Sequence, residues 1–365
     1  MKPNRRDLLK RASTAAMIAT VGLAGATTVG AHPHSRPAVD DDLPEYSRWL
    51  TLETGDLEFV SVDWETVGEY VEDELEDAQT EDDPELPAEF EADPMIAPVS
   101  EGMISTYFFV GLTLAPYGLG RLLDETTFGS TPHSVVLTDV AFVATGIDSD
   151  KIGEQLTQET EIEFIRQFEQ TDDIGDYGVY MPVEDVADDD VLIAVGSEEL
   201  IVADSMAVGA SDDSMAILET VIGASDDEID RASDESESFE WLLETGGHGD
   251  VTAGQYGDPA ADEGFVDLAF EGLEDAEGIV SSLTIEDETT STGDFAAIID
   301  NPDEDALQER IGASGEDQSV TVDGDRVTGT ATWREETVTG TQSLQFLILL
   351  DRTIQRSVAV LRPSP

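Results

Sequence analysis

The sequence predicts an α+β fold: mainly antiparallel sheets with helices packed on one face, preceded by an N-terminal signal helix. Two observations carry this. Short apolar runs follow one another at turn-sized intervals, and helical periodicity appears only singly between groups of them, the pattern of hairpins with a covering helix rather than of parallel crossovers. The chain of 365 residues is also 40% hydrophobic, enough for a substantial core.

The first element is a leader. Lys2, Arg5, Arg6, Lys10 and Arg11 precede an uncharged stretch of Ala, Thr, Val and Gly over 12–31, the layout of an export signal. The run Arg5, Arg6, Asp7, Leu8, Leu9, Lys10 resembles the twin-arginine signal, with Asn4 and Leu8 where Ser or Thr and Phe are commoner. That resemblance implies the twin-arginine export machinery as a partner, engaged through Arg5 and Arg6. Cleavage after Ala26 or Ala31 fits the small residues there, and twenty uncharged residues also suffice for a retained anchor.

Residues 32–47, with Pro33, Pro37 and Pro44, read as a flexible tether. The range 48–131 reads as a β-β-α unit with an acidic loop and an apolar helix or hairpin. Strands are expected at 50–53 and 57–63. A helix follows over 64–77, with Val67, Tyr70, Val71 and Leu75 on one face. Residues 78–102 are acidic and rich in proline, a linker. Residues 102–120 carry no charge. A helix of that length rises about 28 Å, barely a bilayer core, and Pro116 with Gly111, Gly118 and Gly120 argues against an unbroken one. A buried helix or helical hairpin against a sheet is the expected form, and membrane contact is expected only through this segment or an uncleaved signal.

From residue 132 strands dominate. They are expected at 135–145, 162–168, 178–182, 191–195 and 200–203, with a helix capped by Asp148 running to 158. Helices follow at 212–222 and 238–244. Further strands are expected at 251–255, 265–270, 278–286 and 294–299, and Asn301-Pro302 opens a helix to 311 with Pro at its first position. Strands 320–322 and 326–333 close on Asp323-Gly324 as a type I′ hairpin, and 344–350 forms a last strand or helix. Two α+β units, 132–249 and 250–365, follow from this reading, the layout of a duplicated α/β-sandwich unit, although no fixed-period sequence identity joins them.

Composition then bounds function. The chain has 82 acidic and 17 basic residues, a formal charge of −65, which excludes a nucleic-acid footprint. Beyond residue 31 the balance is 12 basic against 81 acidic, a net of −69, and lysine remains only at Lys151. Carboxylates hold hydration in concentrated salt, where their mutual repulsion is screened within about 3 Å at 1 M. Cysteine is absent, so disulfides, thiolate metal sites and thiol catalysis are excluded. With its leader, Val62-Asp63-Trp64, the segment Pro116-Tyr117-Gly118-Leu119-Gly120 and the helix Phe239-Glu240-Trp241-Leu242-Leu243, the chain resembles uncharacterised twin-arginine-signal exported proteins of haloarchaea. That resemblance implies an extracytoplasmic location and attaches no activity.

One metal motif stands out. Asp226, Glu228, Asp230, Asp234 and Glu237 occupy the first, third, fifth, ninth and twelfth places of a calcium loop between two expected helices. Arg231 takes the sixth place, where the turn needs glycine, and Ser233 the eighth, so a solvated acidic linker accounts for the same residues without a ligand. His32-Pro33-His34 would begin a chain cleaved after Ala31, but proline has no amide hydrogen to lose to a square-planar metal. His133 and His248 read as a loop residue and a helix-end turn in Gly246-Gly247-His248-Gly249. There is no Gly-x-Ser-x-Gly elbow, phosphate-cradling loop or dinucleotide fingerprint. The expectation is therefore an exported, noncatalytic surface or binding module with a surface partner or small ligand. A carboxylate-based hydrolase and a calcium-stabilised scaffold are the rivals.

Overall fold

Residues 57–63, Leu-Glu-Phe-Val-Ser-Val-Asp, are apolar or β-branched at most positions, and the fold is assembled around them. The computed structural model describes residues 43–334, apart from 53–54, 69–87, 161, 163, 184–190, 205–213, 258–265, 267, 269 and 288. The signal segment, His32, His34 and the 344–350 run lie outside the described residues. Strand β1 (Leu57–Asp63) pairs on one side with β2 (Ser134–Thr138) and on the other with β8 (Val251–Tyr256), both antiparallel. Leu57 and Phe59 point into one core and Val60 and Val62 into another, so a strand buried on both sides reads as a near-continuous apolar run.

From β1 two wings extend as one sheet. One wing adds β3 (Phe142–Thr145), β7 (Glu199–Asp204), β6 (Val191–Val195), β5 (Tyr177–Pro182) and β4 (Phe168–Ile174) beyond β2. The other adds β9 (Ala276–Asp287), β10 (Thr290–Ile299), β12 (Arg326–Arg334) and β11 (Glu316–Asp323) beyond β8. All neighbours in this twelve-stranded sheet are antiparallel. Each wing runs outward, passes through a helix, and returns so that its last strand pairs with its last outgoing one: β7 on β3, and β12 on β10. Both outermost strands are bulged, β4 between Gln170 and Asp172 and β11 between Glu316 and Ser319.

The α+β class with a mainly antiparallel sheet is what the structure shows, but helices cover both faces. The first face carries α2 (Ala97–Phe108), a wide turn over Phe109–Thr113, and α4 (Ser149–Thr157). Gly102 lets α2 lie directly on β1, since a Cβ there would come within 2.6 Å of Val60 Cγ2. Phe109 stacks on Phe142 with ring centroids 5.3 Å apart. The second face carries α5 (Ser214–Ser225) and α7 (Glu237–Gly246), through Ile217, Leu218 and Val221 and through Phe239, Leu242 and Leu243. A one-faced arrangement is what one helix per group of strands suggests; instead the helices between residues 88 and 157 pack on the first face, those between 214 and 246 on the second, and the helix at 304–308 on the first again.

Several local expectations are corrected. The tether ends sooner, because Glu45–Trp49 forms a 3-10 turn with Tyr46, Ser47, Arg48 and Trp49 buried. The single strand at 135–145 is two strands: Thr138 Oγ1 accepts from Ala141 N at 2.9 Å and from Val140 N at 3.2 Å, closing a turn. The strand expected at 162–168 is β4, at Phe168–Ile174, polar because it is an edge. Asp303, not Asn301, caps α8 (Glu304–Gln308), its carboxylate accepting from Ala306 N at 3.2 Å. In the β11–β12 hairpin, Asp323 pairs with Arg326, so the loop is Gly324-Asp325. Only Gly324 has positive φ, 70°, which is the II′ signature and not I′.

One buried acid joins distant segments. Asp93, inside the expected linker and just past α1 (Ala88–Glu91), is 1% exposed. Its carboxylate accepts from Met95 N at 3.0 Å, Gly312 N at 2.9 Å, Ser314 N at 2.9 Å and Ser314 Oγ at 2.7 Å. It staples the start of α2 to the turn before β11.

Phe59 is fully buried, 5.7 Å from the Tyr46 ring and edge-on to Phe239 at 6.1 Å. Phe59→Ala is expected to cost about 3–5 kcal/mol, read as a lower denaturation midpoint in high salt with an unchanged slope.

Candidate functional site

Past the end of α7 at Gly246, no helix among the described residues packs on the second face of the β9–β12 wing, and its outward side chains turn polar. Ala296 and Ile298 of β10 belong to the second-face core, so Asp294 and Thr292, two and four residues earlier, share their side of the sheet. Thr292 stands opposite Thr284 on β9 and Thr332 on β12, and Asp294 opposite Ser282 and Thr330. Thr328 faces Thr321, and Thr330 faces Ser319. The intervening residues Leu283, Phe295, Val327 and Ala331 are buried in the first-face core. This is the apolar-in, polar-out alternation of a half-solvated antiparallel sheet. With strands about 4.8 Å apart and same-face residues about 6.6 Å apart along each strand, hydroxyls and carboxylates repeat over this face as a lattice.

Acids gather where the lattice meets β8. Asp63 caps the helical turn at 64–68, accepting from Thr66 N at 3.1 Å, and its own N–H donates to the Asp250 carbonyl at 2.7 Å. Asp250 Oδ2 accepts from Ile285 N at 2.6 Å. Burial pushes the Asp250 carboxyl above the ordinary carboxylate range; the Ile285 N–H opposes this, and the charges of Asp63 and Glu286 add to it. Burial raises Asp294 likewise, with His248 pulling the other way. Glu286 Oε1 accepts from Thr292 Oγ1 at 3.1 Å, and the His248 carbonyl accepts from Thr284 Oγ1 at 3.3 Å. Carboxyl groups set among hydroxyls add acceptors to a surface whose hydroxyls both donate and accept, a combination suited to a neutral polar ligand.

The calcium-loop residues lie elsewhere. Asp226, Glu228, Asp230, Asp234 and Glu237 are all exposed, in the connection from α5 to α6 (Ala232–Glu235) and α7. Asp234 Oδ2 accepts from Arg231 N at 3.0 Å. The Ala232 carbonyl, at the loop's seventh place, accepts from Ser236 N at 3.1 Å instead of facing the loop's centre. Arg231 turns inward: its Nε donates to the Ala224 carbonyl at 3.1 Å and its guanidinium pairs with Asp227. Among the described residues no group of three or more His, Asp or Glu stands together as a metal site. Arg48 donates to the Ser225 carbonyl at 3.2 Å, so two guanidinium groups cap the α5 C-terminus.

Of the histidines, His133 packs against Gly146 at the start of β2, its N–H donating to the Thr145 carbonyl at 2.7 Å. His248 follows the α7 cap, where Gly247 N donates to the Leu243 carbonyl at 2.9 Å, and lies exposed beside the lattice. Among the described residues no helix is long and apolar enough to cross a membrane. The 102–120 segment is instead α2, the wide turn and a 3-10 turn at Ala115–Tyr117. Neither Asp294 nor the threonine rows were singled out from the sequence. The signal available was the alternation of Thr with apolar residues along β10 and β12.

No protein-family model and no curated protein sequence matches the chain. Solved structures overlap it, two of them as follows. "Structure of crystal form III of TP0453" has a TM-score of 0.41 at 9% identity, over 83% of this chain and 96% of that one. "Structure of crystal form I of TP0453" has 0.40 at 8% identity, over 86% and 98%. Overlap at this level carries no argument; the fold stands on its own strand pairing.

Two outcomes are expected. The raised Asp250 carboxyl contributes stability that is full below the ordinary carboxylate pKa and is lost as pH rises through the folded-state value. Asp250→Asn keeps an acceptor for Ile285 N, so the variant should gain on wild type near neutral pH and lose that advantage in acid, read from urea midpoints at the two pH values. Arg231→Ala should lower stability by about 2 kcal/mol, whereas calcium at constant ionic strength should leave the wild-type Tm unmoved.

Proposed function

We propose that this chain is an exported, salt-adapted, noncatalytic binding module that holds a neutral, hydroxyl-rich polymer on the lattice of β9, β10, β11 and β12. One observation carries the reading: a sheet face that no helix among the described residues covers past Gly246, on which Thr292 stands opposite Thr284 and Thr332, Thr330 stands opposite Asp294, and Thr292 Oγ1 donates to Glu286 Oε1 at 3.1 Å. Each hydroxyl donates and accepts, so the rows match a ligand that offers hydroxyls at repeating intervals. A formal charge of −65 repels polyanions. In concentrated salt the pull on a charged ligand is screened within about 3 Å at 1 M, while hydrogen bonds at contact persist. The Arg5-Arg6 leader and the net of −69 beyond residue 31 support a site of action outside the cytoplasm, reached through the twin-arginine machinery.

Sedimentation with insoluble cellulose and with starch granules in molar salt tests the reading. Wild type is expected to be retained by a neutral polysaccharide, and Thr292→Val with Thr330→Val to weaken retention about tenfold, a loss of about 1.4 kcal/mol. Retention by neither polymer overturns the polymer assignment. Release of soluble reducing sugar by wild type, abolished in Asp294→Asn, overturns the noncatalytic assignment in favour of a carboxylate hydrolase.

A further inference from the structure

Arg326, Thr328, Thr330, Thr332 and Arg334 alternate along the second face of β12, since Arg326 stands opposite Ile298 and Thr328 opposite Ala296, both in the second-face core. A cation therefore stands at each end of a threonine row, and acids stand near both. At one end Glu316 and Asp317 pair with Arg334 Nη1, at 3.1 Å and 2.9 Å. At the other, Asp323 is the cross-strand partner of Arg326 and Asp325 precedes it in the chain. Arg326 takes neither. Among the described residues it forms no ion pair and donates no hydrogen bond; its guanidinium lies 4.6 Å from the centre of the Trp241 ring on α7. Arg121, Lys151, Arg231 and Arg310 each pair with a carboxylate. In a chain of 82 acids, an exposed arginine that sits on an aromatic ring instead is the exception to explain.

A ring face holds a guanidinium through its π cloud and leaves the N–H donors unspent. Those donors form a rigid planar fork that meets two neighbouring oxygens at once, and the group is weakly hydrated, so a ligand displaces its water cheaply. The lattice has no other donor of this kind: ionised carboxylates only accept, and each hydroxyl donates a single bond. On a neutral polymer, two oxygens side by side are a vicinal diol. A carboxylate also matches the fork, but it would arrive beside Asp323 and Asp325, at contact distances where even molar salt screens little. Building on the polymer assignment above, we infer that Arg326 forms the end subsite of the lattice and takes a vicinal diol of the bound chain. Trp241 is its positioning residue, keeping the guanidinium from Asp323. The module then selects among neutral polymers for those whose repeating units keep free hydroxyls on adjacent carbons.

Sedimentation of the full chain in molar salt with three insoluble neutral glucans tests this. Cellulose and starch keep two free hydroxyls on adjacent carbons; curdlan, linked through the middle one of its three ring hydroxyls, keeps none. Wild type is expected to be retained about tenfold more strongly by cellulose or starch than by curdlan. Arg326→Lys keeps a cation beside the ring but loses the fork, and should abolish that preference with an unchanged Tm. Trp241→Leu should abolish it too, and Trp241→Phe keep it. Equal retention of wild type by curdlan overturns the diol subsite and leaves polymer binding standing. Retention by none of the three overturns polymer binding, and the subsite with it. A lower Tm in Arg326→Lys, with retention reduced on all three glucans alike, makes Arg326 a strut of the hairpin and overturns the subsite. So does stronger retention of wild type by insoluble alginic acid than by cellulose, which would make the ligand group a carboxylate.

Discussion

The structure depends on one strand having neighbours on both sides. Without β1 the two wings would present β2 and β8 as raw edges, each with a row of open N–H and C=O groups. With β1 in place those groups are paired and both cores close, since Phe59 anchors one and Val60 and Val62 the other. Sequence separation makes this expensive to assemble: β1 at 57–63 must wait for β8 at 251–256.

What could be read in the sequence follows from which forces leave a local trace. Strands buried on both sides, β1, β6 and β7, announce themselves as apolar runs, and the Asp148 cap was visible because its partner amide is three residues away. The edge strand β4 left no such trace, because Glu169, Asp172 and Asp173 look like any other acidic stretch here. Asp93 was invisible for the same reason: among 82 acids nothing local distinguishes the one whose partners are more than two hundred residues away. For the lattice the alternation along β10 and β12 was legible, but which side would stay uncovered depends on where α7 stops, a tertiary fact.

The scarcity of cations shows what the fold cannot do without. Arg48 and Arg231 close the C-terminus of α5, and Lys151 Nζ donates to the Phe128 carbonyl at 2.6 Å, at the end of α3 (Glu125–Phe128). Arg326 lies over the Trp241 ring at 4.6 Å. These four cations meet backbone carbonyls at a helix end or an aromatic face, whereas Arg121, Arg310 and Arg334 pair with surface carboxylates.

The bulges in β4 and β11 fall on the two strands that terminate the sheet, at the two places where another molecule could add itself. Most proteins discourage such addition with like charges, a defence that weakens as ionic strength rises. A kinked backbone keeps its misfit at any salt concentration. Edge-to-edge association at high ionic strength is therefore checked by shape at the margins of this sheet, where charge alone would go quiet.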